Sequence, residues 1–134
     1  MKSIHFICRG NVYRSRLAEA YAMSLAKDKG LKLISSSGIE ATRALNGDVD
    51  PDTVKLLEAE GLEKYLTPKW KQTTQEDIDN HEVIVFMSRT LYEQANKSFN
   101  IPQQKVRVWD IKDIDGIYPQ IKQEVDELAL ESKF

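Results

Sequence analysis

The sequence predicts an α/β fold: a doubly wound, four-stranded parallel sheet with helices on both faces, in the order β-α-β-α-β-α-β-α. Three observations predict it. Four short runs rich in β-branched or aromatic residues, "SIHFIC", "LKLISSS", "EVIVFM" and "KVRVWDI", are spaced along the chain. Longer stretches with helical periodicity separate them. Two of the four runs are nearly all apolar, as strands are when both faces are covered.

The first run ends at Cys8. "RSRLAEAYAMSLAKDKG" then reads as a helix with Leu17, Ala20, Tyr21, Ser24 and Leu25 on one face and Gly30 as its stop. After the second run, Asp50-Pro51 opens the helix "DTVKLLEAEG", with Pro51 suited to a first turn and Gly61 to the end. "TPKWKQTTQEDIDNH" is the most polar connection and reads as a surface loop with a short helix. "SRTLYEQANKSF" is a helix after the third run. "YPQIKQEVDELALES" is the last, with Pro119 near its start and Ile121, Val125 and Leu128 on one face.

The 134 residues suit a single domain spanning 1–134, long enough for a substantial core. A net charge of −2 gives no electrostatic case for nucleic acid, which calls for a clustered basic face. One cysteine cannot form an internal disulfide, and the N-terminus "MKSIHFICRG" lacks the long apolar stretch and cleavage site of a signal peptide. No apolar run approaches the roughly 20 residues of a membrane helix. The expectation is therefore a cytoplasmic protein that engages neither nucleic acid nor membrane. One cysteine with His5 and His81 is too small a ligand set for a structural zinc site, and neither metal nor cofactor is expected. Oligomeric state is not readable.

Cys8 stands at the carboxyl end of the first strand, where open α/β sheets bind ligands. Residues 9 to 13 form the connection to the helix, and Arg14 and Ser15 fall at the helix start. A helix N-terminus offers unpaired N–H groups and the positive end of a dipole. A short loop curling around that point aims its amides inward as an anion cradle. Gly10 permits tight curvature. Asn11 tolerates a left-handed backbone, and its side chain can pin the loop. The same field favours a thiolate nucleophile. Arg14 supplies a planar guanidinium that grips two phosphoryl oxygens at once, and the Ser15 hydroxyl can donate to the sulfur. Nucleophile, cradle and transition-state clamp thus meet at one point. The plain alternative, a small buried core cysteine, leaves the agreement of Gly10, Asn11, Arg14 and Ser15 unexplained.

With these residues in place the chain resembles the low-molecular-weight protein tyrosine phosphatase family. "CRGNVYRS" matches that family's Cys-x-Gly-Asn-x-x-Arg-Ser loop at every fixed position. "LAEA" at 17–20, "SSSG" at 35–38 and "VIVFM" at 83–87 extend the likeness over nearly the whole chain. The resemblance implies a flavodoxin-like three-layer sandwich and metal-independent hydrolysis of phosphotyrosine-type or small aryl phosphate monoesters through a phosphocysteine intermediate. It implies a phosphate-binding loop of Arg9, Gly10, Asn11, Val12, Tyr13 and Arg14 around Cys8, with Ser15 and Asn11 in support. It also implies an aspartate acid after the fourth strand, because the leaving group must be protonated. In "VRVWDIKDIDGIYP", Asp113 falls where that acid should be, and Asp115 is the reserve. Asp110 adjoins the strand and suits a turn or cap.

Three departures stand out. Ile114 follows Asp113 where the family has proline, so the acid loop lacks that backbone constraint. Tyr13 stands where many members have a second cysteine, and Arg16 replaces a common proline. The aromatic walls of the family's substrate pocket are missing: Leu45 is the nearest match to one, and Asp115 stands at the other. Tyr13, Tyr118 and Trp70 are possible substitutes, and Arg9 and Arg43 offer positive charge to acidic substrates. Val12 is apolar as in members that act on phosphotyrosine, whereas members selective for phosphoarginine carry threonine there.

Two other functions compete. Arsenate reduction normally passes oxidation through two further cysteines, so here it would need an external thiol. A phosphate-binding or regulatory module needs the cradle but no Asp113.

Overall fold

A computed structural model describes residues 2–26, 33–43 and 47–132, with the Arg43 side chain also outside the description. Gly30 and Leu45 lie outside the described residues. Four strands, β1 (Ile4–Cys8), β2 (Ile34–Gly38), β3 (Val83–Phe86) and β4 (Val106–Val108), form one sheet in the order β2-β1-β3-β4. Every pairing is parallel, with Phe6 opposite both Ser36 and Val85, and Ile7 opposite both Ser37 and Phe86. Among the described residues the α-helices are α1 (Arg14–Ala26), α2 (Pro51–Ala59), α3 (Gln75–Asp79), α4 (Arg89–Ser98) and α5 (Tyr118–Ser132).

Side chains alternate across a strand, so the register sorts residues by face. Phe6, Ser36 and Val85 share one row, and Ser36 donates to Glu19 of α1 at 2.9 Å. Ile7, Ser37 and Phe86 share the opposite row, and the Phe86 ring meets Tyr92 of α4 edge-on at 5.3 Å. α5 lies beside α1: the Tyr21 hydroxyl donates to Asp126 at 2.7 Å and its ring meets Tyr118 edge-on. The sheet is thus covered on both sides, and β1 and β3 are buried at every residue. Their apolar composition has this cause.

Most of the predicted elements are present. Asp50 caps α2 by accepting from the Asp52 N–H, Pro51 is its first residue, and Gly61 beyond its end takes the left-handed φ of 70°. Ile121, Val125 and Leu128 face the core from α5. The fourth strand is shorter than expected, although Trp109 and Ile111 continue to donate to Phe86 and Met87.

Two expectations need correction. The face predicted for α1 is only part of what it buries: Leu17 and Ala20 are buried, but so is every other residue from Arg14 to Ala20, together with Ala22, Met23 and Ala26, while Leu25 is exposed. The helix start is wrapped by the sheet, α2, α5 and the 63–65 turn, so no single stripe describes it. The connection at 67–81 does contain a short helix, α3, opened by a Thr74–Asp77 capping box. It is not simply surface, however. Lys71 and Thr73 bond Gly38 on either side of a parallel bridge to Gln72, which extends the sheet beyond β2.

A chain of polar side chains crosses the interior beneath that bridge. The His81 ring lies 2.6 Å from the Asp77 carbonyl through Nδ1, which must therefore carry the proton. His81 Nε2 then accepts from Ser35, Ser35 accepts from His5 Nδ1, His5 Nε2 accepts from Ser37, and Ser37 accepts from Thr73. In this order His5 uses one ring nitrogen as donor and the other as acceptor, as a neutral imidazole does. Burial first, then His81 and Lys71, hold His5 well below the usual histidine range.

Candidate active site

The 2-1-3-4 strand order reverses direction beside β1, and such switch points open a crevice at the carboxyl ends of the strands. Cys8, the last residue of β1, lies there, and the loop 9–13 curls around its sulfur. The Asn11 amide donates to Cys8 Sγ at 3.2 Å, and Ser15 Oγ lies 2.9 Å from it. Among the described residues Asn11 alone of the non-glycines has positive φ, at 57°; the left-handed step falls on it and not on Gly10.

The Asn11 side chain accounts for that conformation. Its Nδ2 donates to Ser15 at 2.8 Å and to Ser36 at 2.9 Å, and its Oδ1 accepts the Lys71 amide at 2.8 Å. Ser15 Oγ thus accepts from Asn11, which leaves its own hydrogen for the sulfur. Ser36, accepting from Asn11, directs its hydrogen to Glu19. Donors and acceptors are matched along the whole chain from Glu19 to Cys8. Burial drives the Glu19 carboxyl up to about 7, opposed by the Ser36 bond and by Arg16 and Lys71.

Gly38 makes this packing possible. A Cβ there would come within 2.6 Å of the Arg9 carbonyl oxygen and 2.7 Å of the Asn11 nitrogen. The adjoining Ile39 and Glu40 amides bond the carbonyls of Cys8 and Arg9 at 3.0 and 2.8 Å. On the other flank, the Val12 carbonyl accepts from Thr53 Oγ1 at 2.7 Å and from the Asp50 amide at 3.0 Å. The cradle is held on all sides by chain distant in sequence.

Arg14 is 7% exposed, and its Nη1 donates to the Ile111 carbonyl at 2.9 Å. Its Nε is 3.8 Å from Asp113 Oδ1, so the structure does bring the expected carboxylate to the cradle. Asp113 itself is two-thirds exposed, and Asp115 is exposed beside it. Asp110 is exposed too, and its carbonyl accepts from Gln120 near the start of α5, in keeping with a turn role. The Arg9 side chain points into solvent, 3.9 Å from Glu40.

The pocket substitutes fare differently. Tyr118 is a core residue packed on Tyr21, so it walls no pocket. Trp70 is half-buried with the Lys69 ammonium over its ring at 5.0 Å. Tyr13 is buried and its hydroxyl reaches the Ile114 carbonyl at 3.2 Å.

Sequence reasoning missed four participants. Glu19 was visible only as a carboxylate within "LAEA", and Ser36 as one of three serines. The Lys71 backbone carries no sequence signal at all. Arg16 was noted as a replacement, yet it is fully buried and donates to the carbonyls of Asn11 at 3.0 Å, Asp48 at 3.2 Å and Thr67.

Fold and site together define a class: α/β proteins with a cysteine-centred loop at the switch point of a parallel sheet. The chain belongs to the low molecular weight phosphotyrosine protein phosphatase family, whose model matches residues 3–128. The members of that family are phosphoric monoester hydrolases. It is 29% identical over 102 residues to a low molecular weight phosphotyrosine protein phosphatase of Sus scrofa, a match covering 74% of this chain and 63% of that relative's length. A low molecular weight protein tyrosine phosphatase from Bacillus subtilis has the same fold, with a TM-score of 0.80 at 23% identity over 98% of this chain and 97% of that one. A cysteine-to-serine mutant of YwlE arginine phosphatase with a phosphorylated active-site serine is 26% identical, with a TM-score of 0.79 over 98% and 95% of the two chains.

Proposed function

We propose that the chain hydrolyses phosphotyrosine-type or small aryl phosphate monoesters through a phosphocysteine intermediate. The observation that carries this reading is the pair of donors on Cys8 Sγ, the Asn11 amide and the Ser15 hydroxyl, which orient the sulfur as nucleophile at the centre of the loop. Sulfur attacks phosphorus in line with the aryl oxygen; the S–P bond forms as the P–O bond breaks. The loop amides and the Arg14 guanidinium take up the charge on the equatorial oxygens, with no metal needed. Asp113 protonates the departing oxygen. Its carboxylate then takes a proton from water, which attacks phosphorus, breaks the S–P bond and restores the thiolate. A phosphorylated serine at the active site of the YwlE mutant supports covalent transfer to this position of the fold. A nucleophilic thiol also suits the reducing cytoplasm, and a single domain suffices for the reaction.

The test is hydrolysis of p-nitrophenyl phosphate and phenyl phosphate in chelator by wild type, Cys8→Ser and Asp113→Asn, with phosphotyrosine and phosphoarginine as competing substrates. The reading expects no turnover from Cys8→Ser and an Asp113→Asn deficit larger for phenyl phosphate, whose leaving group needs the proton more. Phosphoarginine preferred over phosphotyrosine would overturn the substrate class. Wild type that binds phosphate without turnover would make the chain a binding module.

A further inference from the structure

The segment carrying Asp113 runs between β4 and α5 through bends and turns alone, and it is exposed from Lys112 to Gly116. Its position therefore depends on what it touches. Two consecutive residues of the phosphate loop touch it. Arg14 donates to the Ile111 carbonyl at 2.9 Å, and Tyr13 donates to the Ile114 carbonyl at 3.2 Å. Asp113 lies between the two tethered carbonyls. Ile114 supplies no anchor of its own, since its side chain is 55% exposed and its backbone lacks a proline ring's restriction. The Tyr13 ring is 8% exposed, so the direction of its hydroxyl is set by packing. Burial first, then the carboxylates of Asp115, Asp50, Asp52 and Asp113, raise the phenol above its ordinary range, which keeps the O–H a donor at any working pH.

We propose that Tyr13 is a positioning residue for Asp113: its hydroxyl holds the acid loop at Ile114 and so keeps the carboxyl over the phosphate cradle. This rests on the reading of Asp113 as general acid. It separates the work of two neighbouring side chains, with the Arg14 guanidinium serving phosphate and acid loop together and the Tyr13 hydroxyl serving the acid loop alone. A hydroxyl acting through the acid has a signature that a packing role lacks. Its removal slows substrates in proportion to their need for a proton and leaves phosphate affinity alone.

The experiment compares wild type, Tyr13→Phe, Asp113→Asn and the double variant on p-nitrophenyl and phenyl phosphate, with inhibition by inorganic phosphate and melting temperature read alongside. Tyr13→Phe is expected to lower kcat on phenyl phosphate about fivefold or more, with a smaller loss on p-nitrophenyl phosphate and unchanged phosphate inhibition. In the Asp113→Asn background the same change is expected to add nothing. If Asp113→Asn shows no leaving-group dependence, the acid assignment fails and this inference fails with it. If Asp113→Asn behaves as an acid variant while Tyr13→Phe is neutral, affects both substrates equally or adds its full effect to Asp113→Asn, the inference about Tyr13 alone is overturned. Should phenylalanine destabilise the protein, Tyr13→Met fills similar space without a hydroxyl and carries the same comparison.

Discussion

Gly38 lies against the amide of Asn11 so closely that a methyl group on its Cα would stand 2.7 Å from that nitrogen. The same nitrogen donates to Cys8 Sγ. The end of β2 therefore sets the height of the phosphate loop over the sulfur. Gly38→Ala has only backbone atoms to displace, including the Gly10 carbonyl carbon at 2.8 Å. Overpacking of this kind costs about 1–3 kcal/mol. A lowered melting temperature and weakened inhibition by phosphate are both expected; unchanged phosphate inhibition would show that the loop yields without losing its shape.

Arg14→Lys retains the charge and loses the fork. The native guanidinium donates to Ile111 from one nitrogen while others remain for phosphate. An ammonium cannot hold the loop carbonyl and two phosphoryl oxygens together. The expected loss in kcat/KM is on the order of a hundredfold or more. A loss under about tenfold would mean that charge alone does the work.

Arg16→Met removes a cation that is fully buried and donates to three carbonyls from three segments. Stranding those carbonyls costs about 2–4 kcal/mol in total, allowing for partial rehydration. Urea unfolding measures this directly. One of the three is the Asn11 carbonyl, so phosphate affinity should fall as well; stability lost with affinity intact would confine Arg16 to structure.

Glu19 and His5 predict opposite pH dependences. The Glu19 carboxyl is raised to about 7 in the folded protein. The native state therefore binds more protons than the unfolded chain between about 4.5 and 7, and stability falls as pH rises through that window. Glu19→Gln should remove this loss, so its melting temperature gains on wild type from pH 5 to pH 8. A constant difference would mean that Glu19 is not held protonated.

His5 is held below its unfolded value near 6.5, so the unfolded chain binds more protons below that pH. Its contribution is present above about 6.5 and is lost as pH falls. Measured in the Glu19→Gln background, melting temperature should drop from pH 7 to pH 5, and His5→Asn should flatten the slope. An equal slope in the two would assign the acid sensitivity to other groups.

What could be read in advance was local. Cys8, Gly10, Asn11, Arg14 and Ser15 fall within eight residues, and a strand, a loop and a helix start impose their own residue preferences at that range. The helices α2 and α5 were legible for the same reason, through caps and periodicity. α1 was misjudged because its surroundings, and not its own pattern, decide what it buries. The bonds at 67–73 went unseen because a backbone N–H such as that of Lys71 is common to nearly every residue.

By itself, then, the sequence determined the strand–helix alternation, the Cys8-to-Ser15 loop motif and the family, because these rest on short-range stereochemistry and on a motif contiguous in the chain. The tertiary structure alone decided which distant groups complete the site. Tyr13 meets Ile114 across 101 residues and Asn11 meets Lys71 across 60. Such pairs exist only once the sheet order brings the ends of β1, β2 and β4 to one edge, and burial then requires each polar group there to find a partner.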